Sequence, residues 1–466
     1  MNKKNRLLIL IICVGLFLVI APYLVMYSMG YRINFENWKI TATGGIYVRT
    51  SPQAEKIIID SKPEKPGMFS TSVFVQDLIP KEHTVLIKKT GYFDYEKTLQ
   101  VKEKEVTKIE NIILFKNNIT FDNLLTSVES FSVSPDKKHI LAEINDTKAL
   151  NFVYFSTSTP TNQKKYSIPI AYTTVLNVEW SNDSSKVLIK TYSTTNGTDY
   201  YLFDFSKETQ LTTPLSYLDA SSEKIHFNPQ DSNQTFFIRE DSLLSMNSKK
   251  LITILKNVND YKISNGNIIW FSPEGVLSKS DISGNNTEIL LEAWPFNKDY
   301  LDPINYKIEV ISGKIIIFGQ NTMFEYDSQE KTLKDLGART NGFKISASPD
   351  NKNIIYYSNS DIYLYAFEKS GYNKTDENNI KLYSANWPEI ITNCFWLNND
   401  YIIFESGNKT IISEIDYRGN TNTVELPQNY EPSTSSKNPI MFFNSQDNKV
   451  YLLNGETLYS SEKLVP

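Results

Sequence analysis

One unit recurs through most of the chain: a polar turn, an apolar run rich in β-branched and aromatic residues, a second polar turn and another such run. Its clearest turns contain Ser134-Pro135-Asp136, Ser181-Asn182-Asp183 and Ser348-Pro349-Asp350. About eight copies follow one another at intervals of roughly 33 to 48 residues, which is typical of the four-stranded blade of a β-propeller. Their apolar runs are Ile140–Ala142, Val187–Ile189, Thr235–Ile238, Ile268–Trp270, Ile315–Ile317, Ile354–Tyr356, Ile402–Phe404 and Pro439–Phe443.

Closing these units into a ring would bury their apolar surfaces. A single blade exposes two apolar faces, and radial stacking covers both while leaving only short strand edges. Outside the N-terminus, no segment keeps apolar residues at helical spacing for three turns. The sequence therefore predicts an all-β protein in which residues 117–466 form a β-propeller of seven or eight blades. The recurrent Ser-Pro-Asp-x-Lys turn resembles that of TolB-like and related WD-type propellers, and this resemblance implies a fold only.

The N-terminus predicts a membrane anchor. Leu7–Met29 carries no charge and follows a basic cluster of Lys3, Lys4 and Arg6. A helix of this length crosses a hydrocarbon core of roughly 30 Å. Because basic residues stay on the cytoplasmic side, we expect residues 1–6 inside, a transmembrane helix over 7–29, a connector over 30–43 and the remainder outside the cytoplasmic membrane. The alternative is a cleaved signal peptide, which has a shorter apolar core followed by small residues rather than the tyrosines found here.

Residues 44–115 read as a small β-domain. Short runs of β-branched residues are separated by Pro- and Gly-containing turns, a pattern that favours strands over helices. The runs are Ile46–Arg49, Lys56–Asp60, Val73–Val75, Thr84–Lys88 and Lys97–Val101. We expect them to form an antiparallel sandwich.

Four segments of this domain resemble the PEGA domain, a small β-fold of bacterial envelope proteins. They are Gly45–Ala54, Ile57–Asp60, Leu78–Val85 and the turn Lys88-Lys89-Thr90-Gly91-Tyr92. The chain departs from the family at Pro52-Gln53-Ala54-Glu55 and at Lys81, where glycines are usual, so these turns are less permissive of positive φ. The resemblance implies a fold and an envelope setting but no catalytic residue.

Composition excludes several classes of function. The net charge is −5, and the basic residues form no stripe, so we expect no nucleic-acid partner. Cys13 lies in the apolar run and Cys394 is the only other cysteine, which rules out an intrachain disulfide or a cysteine metal cluster in the exported part.

The sequence offers little support for catalysis. It has no Gly-x-Ser-x-Gly motif, and its three histidines are His83, His139 and His226. We interpret His83 as a turn or packing residue, His139 as solvent-facing and His226 as a packed strand residue. We therefore predict a non-enzymatic protein with no metal site and no cofactor. The alternative is an envelope hydrolase or lyase with a site in the propeller channel.

Two irregular segments between repeats are candidate binding loops, because propeller faces are built from loops. Each joins a Trp-Pro pair to charged residues. The first contributes Trp294, Pro295, Phe296 and Tyr300, and the second contributes Tyr372, Trp387 and Pro388. The alternative is that both are ordinary connections between blades. The function predicted is a membrane-anchored envelope scaffold that binds a protein or glycan.

Overall fold

The computed structural model describes residues 3–34, 38–64, 71–170, 173–207, 213–247, 250–292, 306–319, 322–338, 340, 343–367, 378–427 and 440–465. The chain divides into two compact units. The first contains Met1–Ile119, Ile412–Pro427 and Leu464–Pro466. The second contains Thr120–Ile411 and Gln428–Lys463.

The first unit begins with helix α1, Lys3–Ser28. Within it, Arg6–Ser28 is long and apolar enough to cross a membrane, a property that a signal sequence shares, and none of it is buried against other parts of the chain. A short hairpin follows, in which β1 (Tyr31–Asn34) pairs antiparallel with β2 (Lys39–Ala42).

Two sheets with a shared apolar core come next. The strands are β3 (Gly44–Ser51), β4 (Lys56–Ile59), β5 (Lys62–Glu64), β6 (Ser72–Leu78), β7 (Glu82–Lys88), β8 (Tyr95–Gln100) and β9 (Val106–Ile113). One sheet has the order β6-β3-β9 and the other β5-β4-β7-β8. Alternate residues of these strands, among them Val48, Ile57 and Val85, are completely buried between the sheets. The sandwich predicted from the sequence is confirmed.

Its predicted antiparallel pairing is wrong at one place. Strand β9 runs parallel to β3, with Ile46 opposite Thr107 and Val48 opposite Ile109. The chain leaves β8 in one sheet and crosses to the edge of the other, where it runs in the same direction as β3. The charged residues of β9 interrupt its apolar pattern, so the sequence did not mark it as a strand.

A buried lysine holds the segment Ile412–Pro427 against β8 in the first unit. Lys97 Nζ lies 2.5 Å from Glu414 Oε1, and it also donates to the carbonyl oxygens of Asp416 (2.5 Å) and Asn420 (3.0 Å). Glu414 accepts a second bond, 2.9 Å long, from Tyr95 Oη. Burial raises the pKa of the Glu414 carboxyl, and the Lys97 ammonium opposes that shift.

Eight further sheets follow among the described residues. The first four contain β11 (Val128–Val133), β12 (His139–Ile144), β13 (Leu150–Ser156) and β14 (Thr159–Ile168); β15 (Thr173–Trp180), β16 (Lys186–Ser193) and β17 (Gly197–Asp204); β18 (Glu223–Asn228), β19 (Asp231–Arg239), β20 (Ser242–Asn247) and β21 (Lys250–Lys256); and β22 (Asp260–Ser264), β23 (Asn267–Phe271), β24 (Leu277–Asp281) and β25 (Glu288–Leu291).

The next three sheets contain β26 (Lys307–Ile311), β27 (Lys314–Gly319), β28 (Thr322–Asp327) and β29 (Thr332–Asp335); β30 (Lys344–Ala347), β31 (Asn353–Tyr357), β32 (Asp361–Ala366) and β33 (Asn379–Ser384); and β34 (Ile391–Trp396), β35 (Tyr401–Ser406), β36 (Lys409–Glu414) and β37 (Thr423–Glu425). The eighth has the order β10-β40-β39-β38 and joins β10 (Phe121–Leu125) to β38 (Ile440–Asn444), β39 (Lys449–Asn454) and β40 (Thr457–Ser461).

The ring is closed by strands from both ends of the second unit. Phe121 of β10 lies opposite Ser461 of β40, so the first strand of the unit completes its last sheet. Apolar clusters fill the spaces between neighbouring sheets; one joins Val128 and Ile140 to Tyr451 and Leu458. The arrangement is a β-propeller, as the repeat predicted.

The recurrent turn of the sequence has a specific hydrogen-bonding function. Ser134 Oγ donates to Asp136 Oδ1 (2.6 Å) and accepts the backbone N–H of His139 (3.0 Å), while Asp136 also accepts the N–H of Lys138 (3.1 Å). The same bonds occur in the Ser181 and Ser348 turns. Because Ser and Asp side chains satisfy the turn's backbone donors, this residue pattern returns with each such blade.

Candidate functional site

The first strands of several sheets lie innermost, and in the eighth sheet this position belongs to β38, which contacts β34, while β10 is at the other edge. First strands of neighbouring sheets contact one another, as β15 does with β18 and β22 with β26, which is the geometry of strands converging on a central axis. Side chains on these strands therefore line the channel side of the propeller.

Three polar side-chain pairs, a carboxylate–imidazole hydrogen bond and two ion pairs, join the first strands of four successive sheets. Glu179 Oε1 lies 2.9 Å from His226 Nδ1, Lys224 Nζ lies 3.1 Å from Asp260 Oδ1, and Lys262 Nζ lies 2.8 Å from Glu309 Oε2. The partners stand one repeat apart in the sequence. Opposite charges on consecutive first strands were the signal that sequence reasoning missed.

The first of these pairs borders a cleft of about 150 Å³, which we call the β15–β18 cleft. Its walls include Lys190 and Tyr200, and the Lys190 ammonium lies 5.5 Å from the centre of the Tyr200 ring. A carboxylate, an imidazole, an ammonium and an aromatic ring thus meet in one small space. This combination suits a small polar ligand.

The structure corrects our interpretation of His226. Its side chain is 49% exposed, so it is not a packed strand residue. Its ring meets that of Tyr261 edge-on at 5.8 Å. Tyr261 is buried and donates to the carbonyl of Lys224 (2.8 Å), and burial raises the pKa of its hydroxyl well above the usual range. The Glu179–His226 pair therefore rests on a rigid, neutral tyrosine.

The other two histidines have structural contacts. His83 is buried, with Nδ1 2.5 Å from Asp60 Oδ2 and Nε2 2.7 Å from the Ile79 carbonyl oxygen, in agreement with a turn or packing function. His139 stacks on Tyr154 at 5.1 Å and is 30% exposed, so it faces solvent only in part. Within the part of the chain that the structure describes, no three His, Cys, Asp or Glu side chains are grouped to hold a metal ion.

Of the predicted binding residues, Trp387 and Pro388 fall in a described segment. They belong to the turn between β33 and β34, and the Trp387 side chain is 91% exposed. Trp294, Pro295, Phe296, Tyr300 and Tyr372 lie outside the described residues.

The turn that presents Trp387 is fixed by backbone hydrogen bonds to two neighbouring turns. Ala385 N donates to Ser360 O (2.8 Å), Ile391 N donates to Asn359 O (2.8 Å), and Gly407 N donates to Ile390 O (2.9 Å). Inside the turn, Glu389 N donates to Asn386 O (2.8 Å). The indole is therefore held in solvent by an ordered part of one propeller face.

Comparisons with known proteins found one family match and several similar solved structures. Residues 43–113 match the PEGA domain family model. No curated protein sequence matches the chain. Among solved structures, Kluyveromyces lactis Hsv2 is 12% identical with a TM-score of 0.41, and the match covers 65% of this chain and 100% of that one. The Cps50 (Swd1) β-propeller domain of Myceliophteria thermophila is 8% identical with a TM-score of 0.44, covering 74% of this chain and 100% of that domain.

Proposed function

We propose that this chain is a non-enzymatic, membrane-anchored protein of the bacterial cell envelope, whose extracytoplasmic propeller, of the TolB-like kind, is a scaffold for a protein or glycan partner. The apolar, unburied span Arg6–Ser28 of helix α1 and the basic residues at the N-terminal end of that helix support the anchor and its orientation. The PEGA domain supports the envelope setting.

The observation that carries the binding function is the exposure of Trp387 on an ordered turn. An indole that is exposed in the free protein gains the free energy of burial when a partner covers it. A turn that is already fixed by hydrogen bonds loses little conformational entropy on binding. Large aromatic side chains presented in this way are enriched among the residues that dominate interface affinity.

Replacing Trp387 with Ala tests this function. We expect Trp387→Ala to weaken capture of the partner from solubilised envelope by at least about 30-fold, the equivalent of the roughly 2 kcal/mol that defines a dominant interface residue. Its melting temperature should stay near that of the wild type, because exposed substitutions change stability by about 0.5 kcal/mol or less. Tyr192→Ala, at a side chain 49% exposed elsewhere on the propeller, is the matched control. Equal capture by all three proteins would remove Trp387 from the binding surface.

A hydrolase or lyase in the channel is the second candidate, because the Glu179–His226 pair lines the β15–β18 cleft. A carboxylate that orients an imidazole is the usual arrangement of a general base. If this candidate is right, Glu179→Gln and His226→Ala should each abolish turnover of an envelope glycan or peptide while Trp387→Ala does not. Unchanged turnover in both variants would exclude it.

A further inference from the structure

The hairpin β1–β2 is joined rigidly to the end of helix α1. The helix ends in a turn in which Met29 N donates to Val25 O (3.0 Å) and Gly30 N donates to Tyr27 O (3.1 Å). Gly30 has a φ of +79°, which suits glycine at a helix end. Its carbonyl then accepts both the N–H and the hydroxyl of Thr43, each at 2.8 Å. Both ends of the hairpin are thus tied to the same point.

Arg32 strengthens this joint. Its guanidinium lies 3.4 Å from the centre of the Tyr27 ring and donates to the carbonyls of Tyr27 (2.8 Å) and Tyr31 (2.9 Å). It also pairs with Asp77 of β6 at 2.8 Å. One mostly buried side chain therefore links the helix, the hairpin and the sandwich within the first unit, and the hairpin has a fixed direction relative to the helix.

The hairpin presents apolar side chains to solvent beside this joint. Trp38 is 79% exposed and Ile40 is 57% exposed, with the exposed Lys39 between them. On the last turns of α1, Tyr23 and Tyr27 are also about half exposed. Tryptophan and tyrosine flanked by basic residues are the composition of the layer where a membrane meets water.

The backbone of Trp38 adds a second, independent observation. Its φ is +53°, in the left-handed region that disfavours a bulky side chain and favours glycine or asparagine. Such strained residues cluster at functional sites. A tryptophan with this backbone conformation destabilises the turn. We therefore expect its side chain to contribute to an interaction outside the turn.

Trp38 is close enough to the helix end to reach lipid headgroups. The paired strands are four residues long, which places the far end of the hairpin no more than about 13 Å from its base. The polar layer on each side of a hydrocarbon core is roughly 5 to 8 Å thick, so a hairpin of this length that starts at the helix end can extend at most about 8 Å beyond it.

We infer that the β1–β2 hairpin is a second membrane contact of this protein, with the Trp38 indole and the Ile40 side chain in the headgroup layer of the bilayer that α1 spans. The inference rests on the proposed spanning of the membrane by α1. It adds a lipid-binding surface that holds the sandwich next to the bilayer.

Quenching of tryptophan emission by brominated lipids tests this contact. The full chain is reconstituted into vesicles of phosphatidylcholine and phosphatidylglycerol brominated near the headgroup end of their acyl chains. The chain has 6 tryptophans, so quenching of Trp38 alone removes about a sixth of the emission if all emit equally. We expect Trp38→Phe to lose this quenching and the matched control Trp387→Phe to retain it. If brominated lipid quenches the same fraction of the emission in the wild type and in Trp38→Phe, the inference is wrong. The exposed side chains of the hairpin would then be assigned to contact with a protein partner or a second copy of this chain.

Retention of the protein on the vesicles in alkaline carbonate tests separately whether α1 spans the membrane. Protein that stays with floated vesicles after carbonate treatment is inserted through α1, and the quenching result then judges the hairpin alone. If carbonate releases the protein from the vesicles, α1 does not span the membrane, and the inferred hairpin contact is then wrong as well. Phenylalanine keeps an aromatic ring at both positions, so the two variants should insert as the wild type does.

Discussion

Replacing Lys97 with Met should open the contact between β8 and the segment Ile412–Pro427. The change removes the ammonium that pairs with Glu414 at 2.5 Å and lies 3.8 Å from Asp416, and both carboxylates are buried. It also removes the donor to two backbone carbonyls. Breaking a buried ion pair by deleting one partner costs about 3 to 5 kcal/mol, because the remaining charge stays away from water.

Native-state hydrogen exchange on the full chain measures this loss where it occurs. A decrease of about 3 to 5 kcal/mol in the free energy of local opening makes exchange faster by roughly two to almost four orders of magnitude. The faster amides should be those of β8 and of Ile412–Pro427. A double variant, Lys97→Met with Glu414→Gln, should recover part of the protection, because it removes the stranded charge while the amide keeps its bond from Tyr95.

Lys88→Met is the matched control in the same sandwich. Lys88 pairs with Asp94 at 2.6 Å, but both side chains are about half exposed, and exposed pairs contribute about 0 to 1 kcal/mol. If hydrogen exchange in β8 becomes faster by the same factor in the Lys97 and Lys88 variants, or in neither, then the buried Lys97 ion pair does not hold the segment Ile412–Pro427 against β8.

Two further predictions concern the propeller. Burial raises the pKa of the Glu405 carboxyl despite bonds from Asn393 and Thr392, so the folded state disfavours its charged form and loses stability as pH rises above about 4, where the unfolded chain ionises. Glu405→Gln should therefore raise the melting temperature at neutral pH by more than at pH 4. A larger increase in melting temperature at pH 4 than at neutral pH would contradict a raised pKa of Glu405 in the folded state. A chain that stops before Ile440 loses β38–β40 and leaves β10 without its partner, so size-exclusion chromatography should show aggregation. A folded monomer would show that the last repeat is an appendage and that the ring closes with seven blades.

Local chemistry explains why much of the fold was predictable. The Ser134 and Ser348 turns satisfy their own backbone within about five residues, and such turns appear in a sequence as a fixed pattern. The strands that follow are mostly buried, so their apolar runs are continuous and easy to recognise. The apolar helix α1 was predictable for the same reason: composition alone defines it.

Contacts between distant residues were not predictable. Lys97 and Glu414 are 317 residues apart, and neither shows in the sequence that it will be buried. The pairing of β10 with β40 depends on ring closure and not on local pattern. Glu179 and His226 stand 47 residues apart, and only the position of both on first strands brings them together. The exposure of Trp387 is likewise set by the neighbouring turns that hold its backbone.

Site-specific photo-cross-linking in living cells tests the binding function most directly. A photoreactive amino acid in place of Trp387 lies on the proposed binding face, and the same residue in place of Tyr192 is an equally accessible control. The scaffold function predicts a discrete, light-dependent adduct with an envelope protein or glycan from position 387 and none from position 192. No adduct at 387, together with adducts from position 226 in the β15–β18 cleft, would contradict the scaffold account and favour a site in the channel.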